Sequence, residues 1–149
     1  MQLHRLLNQP NPCFTSLPAE AALTEAVTAM ARYGKTAVAV VEGDRLKGLL
    51  TRSDLMGCLD AGPGVPAGKK AISQVMTRDL VLSDPDASLE QALERMAQLN
   101  IEHLPVIADG LLLTVLHEKQ LLRHRMAELQ AAIDHLQEYI DNLHNAAQD

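Results

Sequence analysis

An internal repeat constrains the fold of this chain more than any other feature. Residues 17–55 and 83–121 carry the same pattern, offset by 66 positions without a gap. Equivalent apolar pairs include Leu23 and Leu89, Met30 and Met96, Val40 and Val106, and Leu55 and Leu121. A tandem repeat of this length predicts two similar units that share one core. Polar positions at which the copies differ are therefore candidates for function.

Each copy predicts the order helix, strand, turn, strand, helix. The first helices are amphipathic, and Gly34 and Asn100 are suited to end them with left-handed backbone angles. Ser88 followed by Gln91 predicts a capping box at the start of the helix in the second copy. The predicted strands are 37–41, 46–50, 104–107 and 112–116, and the second helices begin near Ser53 and Glu118.

The C-terminal segment has a different pattern from the repeats. Apolar residues alternate in steps of four and three, at Leu122, Met126, Leu129, Ile133, Leu136, Ile140 and Leu143. This spacing predicts a coiled coil of about three heptads, and Ile at a with Leu at d favours two parallel strands. With no Gly or Pro after Glu118, a single helix to Asp149 is expected. The alternative is a helix that lies across its own domain.

Composition excludes several classes of function. The net charge is −6, no basic run exceeds Lys69-Lys70, and aromatic residues make up only 2% of 149 residues, which argues against nucleic-acid binding. No apolar stretch approaches the ~18 residues of a membrane span, so we expect a cytoplasmic segment without membrane contact. Cys13 and Cys58 are expected to be reduced thiols. No metal-ligand spacing or catalytic motif occurs, so neither a metal site nor an enzyme is predicted.

The segment from Val75 to Met96, continued by Asn100-Ile-Glu-His-Leu-Pro-Val, resembles a CBS domain. Residues 48–55, Gly-Leu-Leu-Thr-Arg-Ser-Asp-Leu, resemble the motif that ends such a domain. The resemblance covers roughly Cys13 to His124 and implies a tandem pair, called a Bateman module. The implied fold class is α+β, with two βαββα repeats related by pseudo-twofold symmetry and followed by the long coiled-coil helix. The expected divisions are 1–60, a linker at 61–71, 72–124, and the coiled coil at 122–149.

The resemblance implies an adenosine nucleotide (AMP, ADP or ATP) in a cleft between the repeats. Asp54 matches the family's ribose-binding carboxylate, which can accept hydrogen bonds from two neighbouring hydroxyls. Thr51, Arg52 and Ser53 lie at a strand end above a helix start, where phosphate can be bound. The alternative is local, because Ser53 or Asp54 can simply cap the helix that follows.

Further contacts of the nucleotide are implied on both repeats. The residues expected near the base are Met76, Val81, Ile101, Glu102 and His103, and those expected near phosphate are Lys35 and Thr36. In the second copy His117 replaces Thr51 and Gln120 replaces Asp54. Gln lacks the charge of a carboxylate, so the second cleft is expected to bind a nucleotide weakly or not at all. His117 can contact a phosphate when protonated or can sense pH, and the alternative is an ordinary satisfied or partly exposed histidine.

Two functions are compatible with the sequence. The first is a regulatory module that senses an adenosine nucleotide and signals through a parallel homodimer, formed by residues 122–143 and the repeat faces. Its output domain would lie outside this chain. The segment 142–149 is similar to helices that lead into GGDEF diguanylate cyclase domains, which predicts the N-terminal regulatory part of a bacterial signalling protein. The second is a dimerisation scaffold without a ligand.

Overall fold

The computed structural model describes residues 1–7, 14–59 and 69–148. Its helices are α1 (His4–Leu7), α2 (Leu23–Tyr33), α3 (Arg52–Leu59), α4 (Leu89–Leu99) and α5 (Glu118–Gln148), with a short 3₁₀ turn at Ile72–Gln74. Its strands are β1 (Ser16–Pro18), β2 (Ala37–Glu42), β3 (Arg45–Thr51), β4 (His103–Ala108) and β5 (Leu111–His117). Cys13, most of the predicted linker and Asp149 lie outside the described residues.

The two repeats have matching hairpins but unequal sheets. In the first repeat β1 pairs in parallel with β2, which pairs antiparallel with β3. In the second repeat β4 pairs antiparallel with β5, and the counterpart of β1 is a single parallel bridge between Ser83 and Val106. Both hairpins shift register at the equivalent point, between Val40 and Val41 and between Val106 and Ile107. The α+β class is confirmed.

The predicted helix ends are confirmed. Gly34 (φ 61°) and Asn100 (φ 53°) end α2 and α4 in the left-handed region. The Ser88 hydroxyl accepts a hydrogen bond from the backbone N–H of Gln91 at 3.1 Å, which satisfies a free donor in the first turn of α4.

Each repeat inserts a segment into the core of the other. Leu3 of the N-terminal segment is fully buried among core residues of the second repeat, and its N–H donates to the carbonyl of Ala87 at 3.0 Å. Ile72, which follows the linker, is fully buried in the core of the first repeat, and its N–H donates to the carbonyl of Ala21 at 2.8 Å. Residues 1–7 thus pack with the second repeat, although their position in the sequence groups them with residues 1–60.

A third apolar cluster joins the two repeats. Ala39, Leu49 and Val115 are buried together, and Phe14 and Leu80 pack against them from the two sides. Because β3 and β5 contribute to this cluster as well as to the core of their own repeat, both strands are buried at their centres. The two sheets therefore share a face, as expected for hairpins that are too small to be stable alone.

The long helix α5 is held by the domain only at its beginning. Leu121 is fully buried in the core of the second repeat, and Arg125 pairs with Glu90 of α4 at 2.9 Å. Every residue from 129 to 148 is exposed, so the alternative of a helix lying across its own domain is not observed. At 1.5 Å per residue, the 31 residues of α5 extend over about 46 Å. Among the described helices, none combines the length and apolarity needed to span a membrane.

The first testable prediction compares two leucines of β5. Leu116 is 1% exposed and Leu113 is 39% exposed. Leu116→Ala leaves a cavity in the core and is expected to lower the free energy of unfolding by about 2–5 kcal/mol. Leu113→Ala removes the same atoms from a partly solvated face and is expected to cost less than about 1 kcal/mol. Urea unfolding measures both, and equal losses would contradict this description of the core.

Candidate functional site

Two clefts lie at the junction of the repeats. The first cleft has a volume of about 510 Å³ and adjoins the start of α3. The second cleft has a volume of about 830 Å³ and adjoins the start of α5. Both volumes are in the range of small-molecule sites. The two clefts share a wall formed by Thr36, Arg52, Glu102 and His103.

The two helix starts have the same backbone geometry but different side chains. The N–H of Arg52 donates to the carbonyl of Thr36 at 3.3 Å, and the N–H of Glu118 donates to the carbonyl of Glu102 at 2.8 Å. These equivalent bonds tie the start of each second helix to the start of the preceding hairpin. The duplicated fold therefore builds two similar clefts, and their chemistry differs through the side chains.

Most of the residues predicted to bind a nucleotide line the first cleft. These are Thr36, Thr51, Arg52, Ser53, Val81, Ile101, Glu102 and His103. Lys35 lines the second cleft instead. Asp54 and Met76 do not line the first cleft directly. Met76 is 8% exposed and belongs to the core of the first repeat.

Asp54 caps the helix α3 on which it lies. Its Oδ2 accepts hydrogen bonds from the backbone N–H of Thr51 at 2.9 Å and from the Thr51 hydroxyl at 3.2 Å. The Thr51 hydroxyl oxygen in turn accepts from the N–H of Asp54 at 3.4 Å. This reciprocal pattern is a capping box, with Asp in the position usually taken by Glu or Gln. The sequence left open that Asp54 simply caps the helix that follows, and the structure shows that Asp54 does cap α3.

The other carboxylate oxygen of Asp54 accepts a hydrogen bond from a residue outside β3 and α3. The Thr77 hydroxyl donates to Asp54 Oδ1 at 2.9 Å, and Thr77 itself lines the first cleft. The carboxylate therefore accepts from two hydroxyls at the edge of the cleft. The local sequence pattern did not predict that Thr77 contacts Asp54, because the two residues are 23 positions apart in the sequence.

Gly48 sets the distance between β3 and the segment that carries Thr77. The N–H of Leu49 donates to the Thr77 carbonyl at 2.9 Å, and the N–H of Thr77 donates back at 2.8 Å. A Cβ at Gly48 would lie 2.7 Å from Met76 Sδ and 2.9 Å from the Thr77 carbonyl oxygen. Only glycine permits this approach, which brings Thr77 to Asp54.

The remaining wall of the first cleft is largely apolar. Val81 and Ile101 were expected here from the sequence, and Leu49, Met56, Leu80 and Pro105 also line this wall. Asn100 and Asp79 also line this cleft. A mostly apolar wall with a few polar groups at one end suits a flat heterocycle that carries a polar tail.

The second cleft is cationic. His117 and Gln120 occupy it as expected from the repeat, and Lys35 takes the place that Ile101 has in the first cleft. The cleft is also lined by Phe14, Lys119, Arg123 and His124, which the sequence did not indicate. The first turns of α5 form one of its walls, although no pattern in the sequence placed a ligand cleft beside the start of the predicted coiled coil.

Two histidines stand at the junction of the clefts. The rings of His103 and His117 meet edge to face with centroids 4.9 Å apart, and His103 Nε2 shares a hydrogen bond of 2.7 Å with the Thr36 hydroxyl. Burial, and then the neighbouring His117, lower the pKa of His103 to about 4, although Glu102 acts in the opposite direction. Burial also lowers the pKa of His117, whose Nδ1 accepts from the N–H of Lys119. Both rings are therefore neutral at pH 7.

The described residues contain no group of three or more His, Cys, Asp or Glu side chains arranged to hold a metal ion. The chemistry that the clefts offer is instead recognition through hydroxyls, one carboxylate, cations and an apolar wall.

Comparison with known families agrees with the duplicated fold. The model of the CBS domain matches this chain twice, at residues 10–61 and 72–127. The chain belongs to the CBS domain family. CBS domain pairs are regulatory modules that bind adenosine-containing ligands, and they are not a catalytic family. The prediction of a tandem CBS pair is confirmed.

Relatives of this CBS pair are found among both sequences and structures. The CBS domain-containing protein YhcV of Bacillus subtilis is 32% identical over 109 residues, 73% of this chain and 76% of that protein. An acetoin utilization protein from Vibrio cholerae has a similar fold, with a TM-score of 0.76, 18% identity, and coverage of 90% of this chain and 96% of its own. A CBS domain pair in complex with 5′-methylthioadenosine and S-adenosyl-L-methionine has a TM-score of 0.73, 18% identity, and coverage of 86% and 98%.

The second prediction concerns the close approach at Gly48 in the first CBS repeat. Gly48→Ala forces Met76 and the Thr77 backbone away from β3 and is expected to lower the free energy of unfolding by about 1–3 kcal/mol. Gly57→Ala is the matched control, because a Cβ there meets nothing within 4 Å and the residue lies inside α3. The control is expected to stabilise by about 0.5–1 kcal/mol. Urea unfolding of both variants tests the contrast, and a neutral Gly48→Ala would contradict it.

Proposed function

We propose that this CBS pair is a regulatory module that binds an adenosine nucleotide in its first cleft. The module transmits the state of that cleft through a dimeric coiled coil to an output domain. The nucleotide is AMP, ADP or ATP, and the proposed contacts are those that line the first cleft together with Asp54.

The observation that carries this proposal is the hydrogen bonding of Asp54. Its carboxylate already accepts from two hydroxyl groups, those of Thr51 and Thr77. A ribose presents two neighbouring hydroxyls and can replace these donors like for like, with charge-assisted bonds. The N–H of Thr51 remains on the carboxylate during this exchange, so the start of α3 stays capped.

The rest of the first cleft supports a nucleotide. Its apolar wall suits adenine, while Arg52 and Ser53 at the start of α3 provide a cation and a hydroxyl for phosphate. The similar CBS pair solved with 5′-methylthioadenosine and S-adenosyl-L-methionine supports an adenosine ligand in a fold of this kind.

Transmission is proposed to run through the start of α5. Leu121 anchors this helix in the core of the second repeat, whereas the residues beyond 128 are exposed. A ligand that contacts both repeats can change the position of Leu121 only if it binds two relative orientations of the repeats with different affinities. A tenfold preference corresponds to about 1.4 kcal/mol, so the two arrangements of the coil must be close in free energy.

The proposed partner of α5 is a second copy of the chain. Met126, Ile133 and Ile140 at a and the leucines at d are exposed, with Ile133 58% exposed. A solitary helix of this kind gains little stability from its own hydrogen bonds and needs packing.

The output domain is proposed to be a diguanylate cyclase of the GGDEF type in a cytoplasmic bacterial protein. The support is the similarity of residues 142–149 to helices that precede such domains. The sequence of the full-length gene tests this part directly.

A ligand-free dimerisation scaffold is the second candidate. The observation that favours it is the complete use of Asp54 in the capping box and with Thr77. In a scaffold the carboxylate would serve only to stabilise α3, and no adenosine ligand would bind.

The third prediction separates these two functions. Calorimetric titration with AMP, ADP and ATP is expected to detect binding of at least one nucleotide to the wild-type protein. Asp54→Asn removes the charge at the ribose and is expected to weaken that binding by about 10- to 100-fold, as for other hydrogen bonds to charged groups. Asp44→Asn, at the exposed turn between β2 and β3, makes the same chemical change away from both clefts and serves as control. Absence of binding by all three nucleotides would favour the scaffold.

The fourth prediction tests the dimer. Ile133→Asp places a charge in the proposed seam and is expected to weaken dimerisation by more than about tenfold, since a buried unpaired charge is costly. Ala131→Asp adds the same group at the outer f position of the same helix and is expected to leave the dimer intact. Sedimentation equilibrium measures both. An equally strong dimer in Ile133→Asp would mean that the flat faces of the repeats hold the two chains together.

A further inference from the structure

The second cleft concentrates positive charge in an acidic protein. Lys35, Arg52, Lys119 and Arg123 line it, in a chain whose formal net charge is −6. Among the described residues, none of these four side chains lies within 4.0 Å of a carboxylate, whereas Lys47 and Arg125 elsewhere do form ion pairs. Cations that face a cavity without a protein partner favour an anionic ligand.

Two carboxylates and the end of a helix complete the electrostatics of the second cleft. Glu102 and Glu118 also line it, so the cations outnumber the acidic groups. The N-terminus of the 31-residue helix α5 forms part of the wall, and its dipole adds further positive potential. The charged groups that face the two histidines are Arg52, Lys119 and the two glutamates, and a third histidine, His124, also lines this cleft.

The second cleft departs from the first in the groups that recognise a nucleoside. Gln120 stands where Asp54 holds the proposed ribose site, and Lys35 stands where Ile101 forms the apolar wall. Both changes replace nucleoside contacts by groups that suit the oxygens of a phosphate. His103 and His117 lie beside these cations and can each carry a proton.

We propose that the second cleft binds a phosphoryl anion, and that binding is coupled to protonation of the His103–His117 pair. An anion beside the rings favours their charged form and opposes the effect of burial. Binding then takes up protons, so the affinity for the anion rises as the pH falls below neutrality. The phosphoryl group comes either from a free anion such as pyrophosphate or from the phosphate tail of a nucleotide that enters from the first cleft across the shared wall.

The binding experiment uses pyrophosphate, adenosine and ADP with the whole chain. Lys119→Ala is expected to weaken binding of the phosphoryl ligand at least about fivefold, because it removes one charge-assisted bond. Lys119 is exposed, so the variant is expected to fold. Lys47→Ala removes an equal charge on β3, away from both clefts, and is expected to have no effect. Equal affinities of Lys119→Ala and Lys47→Ala would overturn the proposal.

The same titrations identify the source of the phosphoryl group. A free anion is the ligand if pyrophosphate binds alone and Asp54→Asn leaves its affinity unchanged. A nucleotide tail is the ligand if pyrophosphate fails to bind and ADP is weakened by both Lys119→Ala and Asp54→Asn. Either result supports the second cleft as a phosphoryl site. If adenosine, AMP, ADP and ATP all fail to bind while pyrophosphate binds, the nucleotide proposal for the first cleft is refuted and the phosphoryl site in the second cleft is retained.

Proton coupling is tested with sulfate, whose charge does not change between about pH 5 and 8 and which mimics a phosphoryl dianion. Wild-type affinity for sulfate is expected to rise by at least about threefold from pH 7.5 to 5.5. The double variant His103→Asn, His117→Asn is expected to lose this dependence, and Asn is a suitable cap for α5 in place of His117. The same pH dependence in both proteins would refute the coupling to these histidines.

Discussion

The reciprocal insertion of Leu3 and Ile72 is the interaction on which the rest of this structure depends. Each hairpin with its helices has an incomplete core, and the missing apolar surface is supplied by the segment that precedes the other repeat. Full burial of a leucine or isoleucine contributes about 1.5–3 kcal/mol, so loss of either insertion would open a core. The repeats are thereby fixed face to face, and the two clefts exist only because they are so fixed.

Duplication explains why the backbone of the two clefts is so similar and their chemistry so different. Backbone hydrogen bonds position both helix starts without regard to side-chain identity, as the equivalent bonds of Arg52 and Glu118 illustrate. Side chains at these positions are therefore free to diverge without loss of the fold. In this chain the first copy has Thr51, Arg52, Ser53 and Asp54 at the helix start, and the second copy has His117, Glu118, Lys119 and Gln120.

Local signals in the sequence were sufficient for the four hairpin strands and for helices α2 to α5, but they did not predict α1 or the 3₁₀ turn, and β1 was implied only by the resemblance to a CBS domain. Gly34 and Asn100 ended their helices as predicted, because left-handed backbone angles depend on the residue itself. Contacts between segments that are distant in the sequence could not be predicted from such local signals. Thr77 reaches Asp54 because Gly48 admits the Thr77 backbone, and Lys35 lines the second cleft although the start of α3, in the same repeat, adjoins the first. Neither fact follows from periodicity or from residue type.

Arg52 belongs to the wall of both clefts. One guanidinium cannot direct all of its N–H donors toward two anions at once. An anion in one cleft therefore reduces the number of Arg52 donors that are available to an anion in the other cleft. Such coupling is reciprocal: whatever the first ligand does to the affinity of the second, the second does to the first. With both clefts in use, each ligand would therefore lower the affinity of the module for the other by the same factor.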